Sequence, residues 1–113
     1  MIVGVTTTPE GTVGGGLGRA QTMAVADVRD GAVVAWTEHH VGWGDLHGTG
    51  PVGTHHARIV RFVREHGLEG VVTSGLGEGM RTTMGKLGVV VRTDLAGDAR
   101  AAAVAAAATP SAS

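Results

Sequence analysis

The chain contains no cysteine, which removes disulfides, thiolate nucleophiles and any zinc or iron–sulfur site built on its own thiolates. Any metal has to be held by imidazole or carboxylate. Aromatic residues are nearly missing as well: Trp36, Trp43 and Phe62 are the only three, so valine and alanine must fill a core that rings would usually supply. Charge of one sign is not in excess, with nine basic residues against ten acidic ones and no run of either. That balance argues against nucleic acid and anionic membranes as partners. The opening Met1-Ile2-Val3-Gly4-Val5 meets Thr6-Thr7-Thr8 at once, too short an apolar run for a secretory signal or a spanning helix. A cytoplasmic protein is therefore expected.

What is present in quantity is glycine, 20 in 113 residues, a length that suits one domain with one core. Residues 2–7 read as a buried strand, and Pro9-Glu10-Gly11 with Gly14-Gly15-Gly16 as a loop behind it. Residues 21–28 suit a second strand, Arg29-Asp30-Gly31 carries the Asp-Gly hairpin signal, and a third strand runs from Ala32 to about Glu38. From His39 to Thr54 no period of 2 or 3.6 is visible, and a loop of that length in a small domain is usually functional or disordered. Thr54 reads as an N-cap for a helix over 55–66, stopped at His66-Gly67. A short strand over 70–74, a glycine turn and a helix over 79–87 form a βα unit, followed by a strand over 89–92 and an alanine-rich helix over 98–107. This order predicts an α/β domain over 1–108 with a mixed sheet, and a frayed, disordered tail over 109–113.

Three stretches carry a resemblance. Leu17-Gly18-Arg19-Ala20 leads into the second strand; Asp27-Val28, Asp30-Gly31 and Val33-Val34 mark the hairpin; and Val71-Val72-Thr73-Ser74-Gly75-Leu76-Gly77 is followed by Leu87-Gly88-Val89. In order and spacing the chain resembles the dinitrogenase iron–molybdenum cofactor biosynthesis family, over about residues 2–107. Leu17 stands where the family has an aromatic residue, and the cysteines of some cofactor-carrying relatives are absent. The resemblance implies a ribonuclease-H-like fold with a mixed five-stranded sheet, and the binding or carriage of an iron–sulfur or iron–molybdenum cofactor.

With the sheet arranged as that fold implies, the loops after the first, third and fourth strands share one edge, where open α/β sheets bind ligands. His39, His40, His47, His55 and His56 fall in that region, with Asp45 or Glu38 as candidate oxygen ligands. Such a donor set suits zinc, copper, nickel or iron. Adjacent strand residues point to opposite faces, so only one of His39 and His40 can serve a given site. The bland reading is a set of solvated or helix-capping histidines. His66, beside Gly67, reads as a helix C-terminal partner outside the site. Ser74, Gly75, Gly77 and Gly79 place backbone N–H groups at a helix start, an anion site in form but also what any tight βα turn needs. Arg19 could add a positive charge, or be an ordinary surface arginine. Trp43 either covers a ligand or anchors its loop, while Trp36 reads as core or a dimer contact and Met80 and Met84 as packing.

Turnover is the less favoured class. The first strand has no acid, and Asp27, Glu38, Asp45 and Glu78 lie on separate elements, unlike the converging carboxylates of a two-metal hydrolase. A third class is an interaction or oligomerisation module docking through the alanine-rich helix, whose small side chains bury little area. A homodimer stays compatible with either binding class. The expectation is a metal- or metallocofactor-binding protein with no catalytic residue assigned.

Overall fold

The computed structural model describes residues 1–46 and 53–108; His47 and the tail over 109–113 lie outside them. Strand β1 (Ile2–Thr7) runs through the middle of a five-stranded sheet, flanked by β2 (Thr22–Arg29) and β4 (Gly70–Val72), with β3 (Ala32–His40) and β5 (Val90–Arg92) at the edges. β1 and β2 pair antiparallel, as do β2 and β3, whereas β4 lies parallel to β1 and β5 parallel to β4. Two antiparallel steps make β3 parallel to β1, so the carboxyl ends of β1, β3, β4 and β5 all reach one edge. The β2–β3 hairpin closes through Asp30 and Gly31 with φ of 52° and 77°. Positive φ at both central residues is the type I′ geometry that follows the twist of the strands and favours Asp-Gly.

Helices α2 (Thr54–His66) and α3 (Glu78–Lys86) cover one face of the sheet and α4 (Ala99–Ala107) the other. The period-2 alternation of β2 sorts its side chains: Met23 goes to the α2–α3 side, and Ala24, Ala26 and Val28 to the α4 side. Small residues meet small residues there. Ala99, Ala102, Ala103 and Ala106 are buried against Ala24, Ala26, Val3 and Val5, so the helix approaches the sheet closely and its apolar stripe is used inside the domain. Its start is capped by Asp98, whose carboxylate accepts from Ala101 N at 2.8 Å. The opposite core holds the bulk, with Leu17, Ile59, Phe62 and Met84.

Several boundaries differ from the sequence reading. β3 continues to His40 because Met23 and Thr22 of β2 pair with His39 and His40. β4 stops at Val72, since Ser74 N turns to Gly15 O in the glycine loop behind β1. The cap of α2 is Gly53, at φ 89°, and Thr54 is the first helical residue. The aperiodic stretch also contains a single helical turn, α1 (Trp43–Leu46).

That turn sits tightly against the 3₁₀ turn at Leu17–Arg19. Gly44 N donates to Ala20 O at 3.2 Å, and a Cβ on Gly44 would come within 2.7 Å of both Arg19 O and Gln21 Nε2. Gly44→Ala should therefore push α1 off its seat at a cost of about 1–3 kcal/mol, read as a lower urea midpoint with unchanged slope. Among the described residues no helix is long and apolar enough to cross a membrane.

Candidate functional site

At the shared edge the chain stitches two glycine turns together. Gly15 O, in the loop after β1, lies within hydrogen-bonding reach of Thr6 Oγ1 at 3.2 Å, Thr73 Oγ1 at 3.1 Å and Ser74 N at 3.2 Å. Gly75 O, in the turn after β4, accepts from Leu17 N at 2.9 Å and lies 3.2 Å from Thr73 Oγ1. Thr6 and Thr73 are fully buried, so their hydroxyls need these carbonyls. The result holds the 3₁₀ turn beside the start of α3.

Between them lies a cavity of about 220 Å³. Leu17 and Gly18 form one wall, Leu76, Gly77 and Met80 the opposite one, and His55, His56 and Ile59 of α2 the third. His55 Nε2 is 2.7 Å from Gly18 O, and His56 Nε2 is 2.9 Å from Thr83 Oγ1 on α3. The imidazoles thus tie α2 to both other walls. Both helices of this face, α2 and α3, begin at this cavity, behind Gly53 and Gly77, and neither start receives a side-chain cap. First-turn amides left without a cap favour an anion, and the helix dipoles add to the effect. A second cavity of similar size, about 230 Å³, opens at the far end of the sheet near Met1 and Val104, with Asp30 as its only acidic or basic side chain. No comparable set of donors meets there.

The other histidines are distributed differently from the expected cluster. His39 points to the α2 side but stacks on Phe62 and His66, with ring centroids 5.6 and 4.5 Å away. His66 lies ten residues beyond His56 on α2, roughly 15 Å along the axis at helical rise, so His39 belongs to a separate group. His40 is exposed on the opposite face, the two-residue period having separated it from His39. Among the described residues no three His, Asp or Glu side chains come together as a metal site. Of the expected set of His39 or His40 with His47, His55 and His56, the described histidines thus fall into separate groups, while His47 lies outside the described residues.

The remaining candidates also separate. Gly77 lines the cavity and caps α3; Gly79 O accepts from Thr83 Oγ1 at 2.9 Å. Ser74 and Gly75 serve through their backbone in the stitch, and the Ser74 side chain is exposed. Arg19 ends the 3₁₀ turn and is exposed. Trp43 is 4 % exposed, edge-on to Phe62 at 5.4 Å, and does not line the cavity. Its anchoring role is the one the geometry displays. The candidate acids are engaged elsewhere: Asp27 with Arg29, Glu38 with Trp36 Nε1, and Asp45 with Gln21. Asp94, past β5, has its carboxyl pulled down to about 2 by hydrogen bonding to Arg92, a surface pair.

Thr6, Thr73 and Thr83 were missed from sequence. A threonine in a β-branched run or on a helix carries no sign of which carbonyl its hydroxyl will meet.

Fold and cavity together define a small α/β domain with a ligand-sized opening at the carboxyl edge of a mixed sheet. The chain belongs to the dinitrogenase iron–molybdenum cofactor family, whose model matches residues 1–109. Two solved structures share the fold. PH0822 superposes with a TM-score of 0.67 at 21 % identity, over 90 % of this chain and 82 % of that one. TM1290 from Thermotoga, of the DUF35 family, gives 0.61 at 22 % identity, over 87 % and 79 %. No curated protein matches the chain.

Proposed function

We propose that the protein binds and carries a preformed, anionic metallocofactor of the iron–sulfur or iron–molybdenum type at the His55–His56 cavity. The observation that carries this reading is the meeting of two uncapped helix starts and two imidazoles around one opening. The donor set fits a cofactor better than a bare ion. A structural zinc takes four protein ligands and a catalytic one three, and the described residues offer no such group. A cluster arrives with its own sulfide ligands. One that also brings ligands closing most of its metal positions needs few protein donors, plus hydrogen bonds and positive potential for its charge. The thioether of Met80 and the apolar side chains of Leu17, Ile59 and Leu76 supply a low-dielectric lining. When bound, the group would supply the metal chemistry, while the chain holds, orients and shields it. Family membership supports the same association with the nitrogenase cofactor. Carriage rather than turnover is favoured because Asp27, Glu38 and Asp45 are engaged on other elements, which leaves Glu78 in the first turn of α3 without a second acid of that set beside it.

The test is metal and sulfide analysis with an optical spectrum on untagged protein purified anaerobically, alongside the combined His47→Ala, His55→Ala and His56→Ala variant. Near-stoichiometric iron with visible absorption is expected for the parent and its loss for the variant. Equal metal content in both, or a parent that stays metal-free after reconstitution with iron and sulfide, would sink the reading.

A further inference from the structure

We infer that His56 is the metal-ligating imidazole of this cavity, that it ligates through Nδ1, and that Thr83 is its positioning residue while His55 is a structural strut. The inference rests on the cofactor-binding reading above and assigns its donor atom. It follows from where the protons must lie. A carbonyl oxygen only accepts, so the 2.7 Å contact of His55 Nε2 with Gly18 O requires the hydrogen on Nε2. The His56 contact looks ambiguous, because a hydroxyl can give or take. Thr83 removes the ambiguity: its Oγ1 lies 2.9 Å from Gly79 O one turn back, and its single proton goes to that carbonyl. Towards His56 it has only a lone pair to offer, so His56 Nε2 carries hydrogen as well. In both neutral rings the electron pair available to a metal is on Nδ1.

The two rings differ in access. His55 Nδ1 is buried, and reaching it would require parting α2 from the 3₁₀ turn. His56 Nδ1 is not among the buried side-chain atoms lacking a partner and makes no hydrogen bond among the described residues. Neighbours in a helix also project about 100° apart, so two consecutive imidazoles do not address one point equally. What remains at His56 is the arrangement common to metal-bound histidine: one ring N–H given to a fixed acceptor, the other nitrogen neither bonded nor fully buried among the described residues. The acceptor is itself anchored, since Thr83 hangs on the first turn of α3, the helix whose start lines the same cavity.

The experiment is a nitrogen-15 NMR spectrum of the full chain labelled at histidine, before and after zinc(II), a diamagnetic probe that binds weakly but reports the ligating atom. Without metal, His55 and His56 should both show the Nε2–H tautomer. Zinc should then shift His56 Nδ1 and leave the His55 nitrogens in place. Thr83→Val should release the His56 tautomer and weaken zinc binding about 10- to 100-fold with His55 unaffected; Thr83→Ser, which keeps the hydroxyl, should restore both. A zinc shift on His56 Nε2 or on His55, or parent-like behaviour of Thr83→Val, overturns the assignment and leaves the cavity reading standing. Nε2–H tautomers with no zinc shift at either ring, joined to failure of iron–sulfide reconstitution, would overturn the cavity reading itself and ligation with it.

Discussion

Trp43→Ala should destabilise the protein by about 3–5 kcal/mol, the usual cost of emptying a buried aromatic site and a large share of the total stability of a small domain. α1 is four residues long, too short to hold itself by its own hydrogen bonds. What keeps it in place is the indole, 4 % exposed and edge-on to Phe62, in the same core as Leu17 and Met23. Removing the ring leaves a hole beneath the 3₁₀ turn, and Leu17 and Gly18 of that turn form a wall of the cavity. Urea unfolding followed by far-ultraviolet circular dichroism measures the effect. Trp43→Phe, which keeps an aromatic edge for Phe62, should recover more than half of the loss. Cofactor uptake by Trp43→Phe should stay near the parent level. A variant that kept its stability but lost uptake would instead make Trp43 a cover over the ligand.

The parts of the fold readable from sequence are those where one residue pair or one period decides the outcome. Asp30-Gly31 demanded a tight hairpin and forms it, and Gly67, at φ 62°, ends α2 where the glycine stood. The parts that were not readable depend on partners distant in sequence. Nothing local says that His39 and His40 still belong to β3; pairing with Met23 and Thr22 decides it. Nothing local says that β4 ends at Val72: Thr73 N still donates to Arg92 O of β5, and it is Ser74 N that turns to Gly15 O in a loop distant in sequence. The alanine-rich helix is the instructive case. Its lack of bulk, read as a weak docking surface, is what lets it sit close on Ala24 and Ala26.

The candidate site shows the same division. The joining of the loops behind β1 and β4 followed from strand order once the parallel crossovers were assigned, and the stitch through Gly15 and Gly75 realises it. Among the described residues, the histidines that lie close along the chain separate in space. β3 sends His39 toward Phe62 and His66, and α2 carries His55 and His56 away from them by its own length. Sequence proximity within 18 residues says little when a strand end and a helix start bracket the segment. Likewise, the tautomers of His55 and His56 depend on Gly18 and on Thr83, which no spacing argument could have supplied.

Gly77→Asp should separate stability from binding by moving them in opposite directions. Gly77 caps α3 with φ −72° and ψ 161°, a conformation open to any residue, and a Cβ there meets nothing within 4 Å. An aspartate at this position can accept from the unclaimed amide of Met80 and place a negative charge at the positive end of the helix. The folded state should gain from a few tenths to about 1 kcal/mol. The same charge lines the cavity, where it occupies an amide meant for the ligand and repels an anionic one. Uptake of a cluster reconstituted from iron and sulfide should fall roughly 10- to 100-fold at low salt, and the gap should narrow as salt screens the charge. Gly77→Asn supplies a cap without the charge, so the difference between the Asp and Asn variants isolates the electrostatic part. If Gly77→Asp raised the melting temperature and bound the cluster as well as the parent, the ligand would not sit at the α3 start. If Asn and Asp weakened binding equally, the lost amide and not the charge would be what the cofactor depends on.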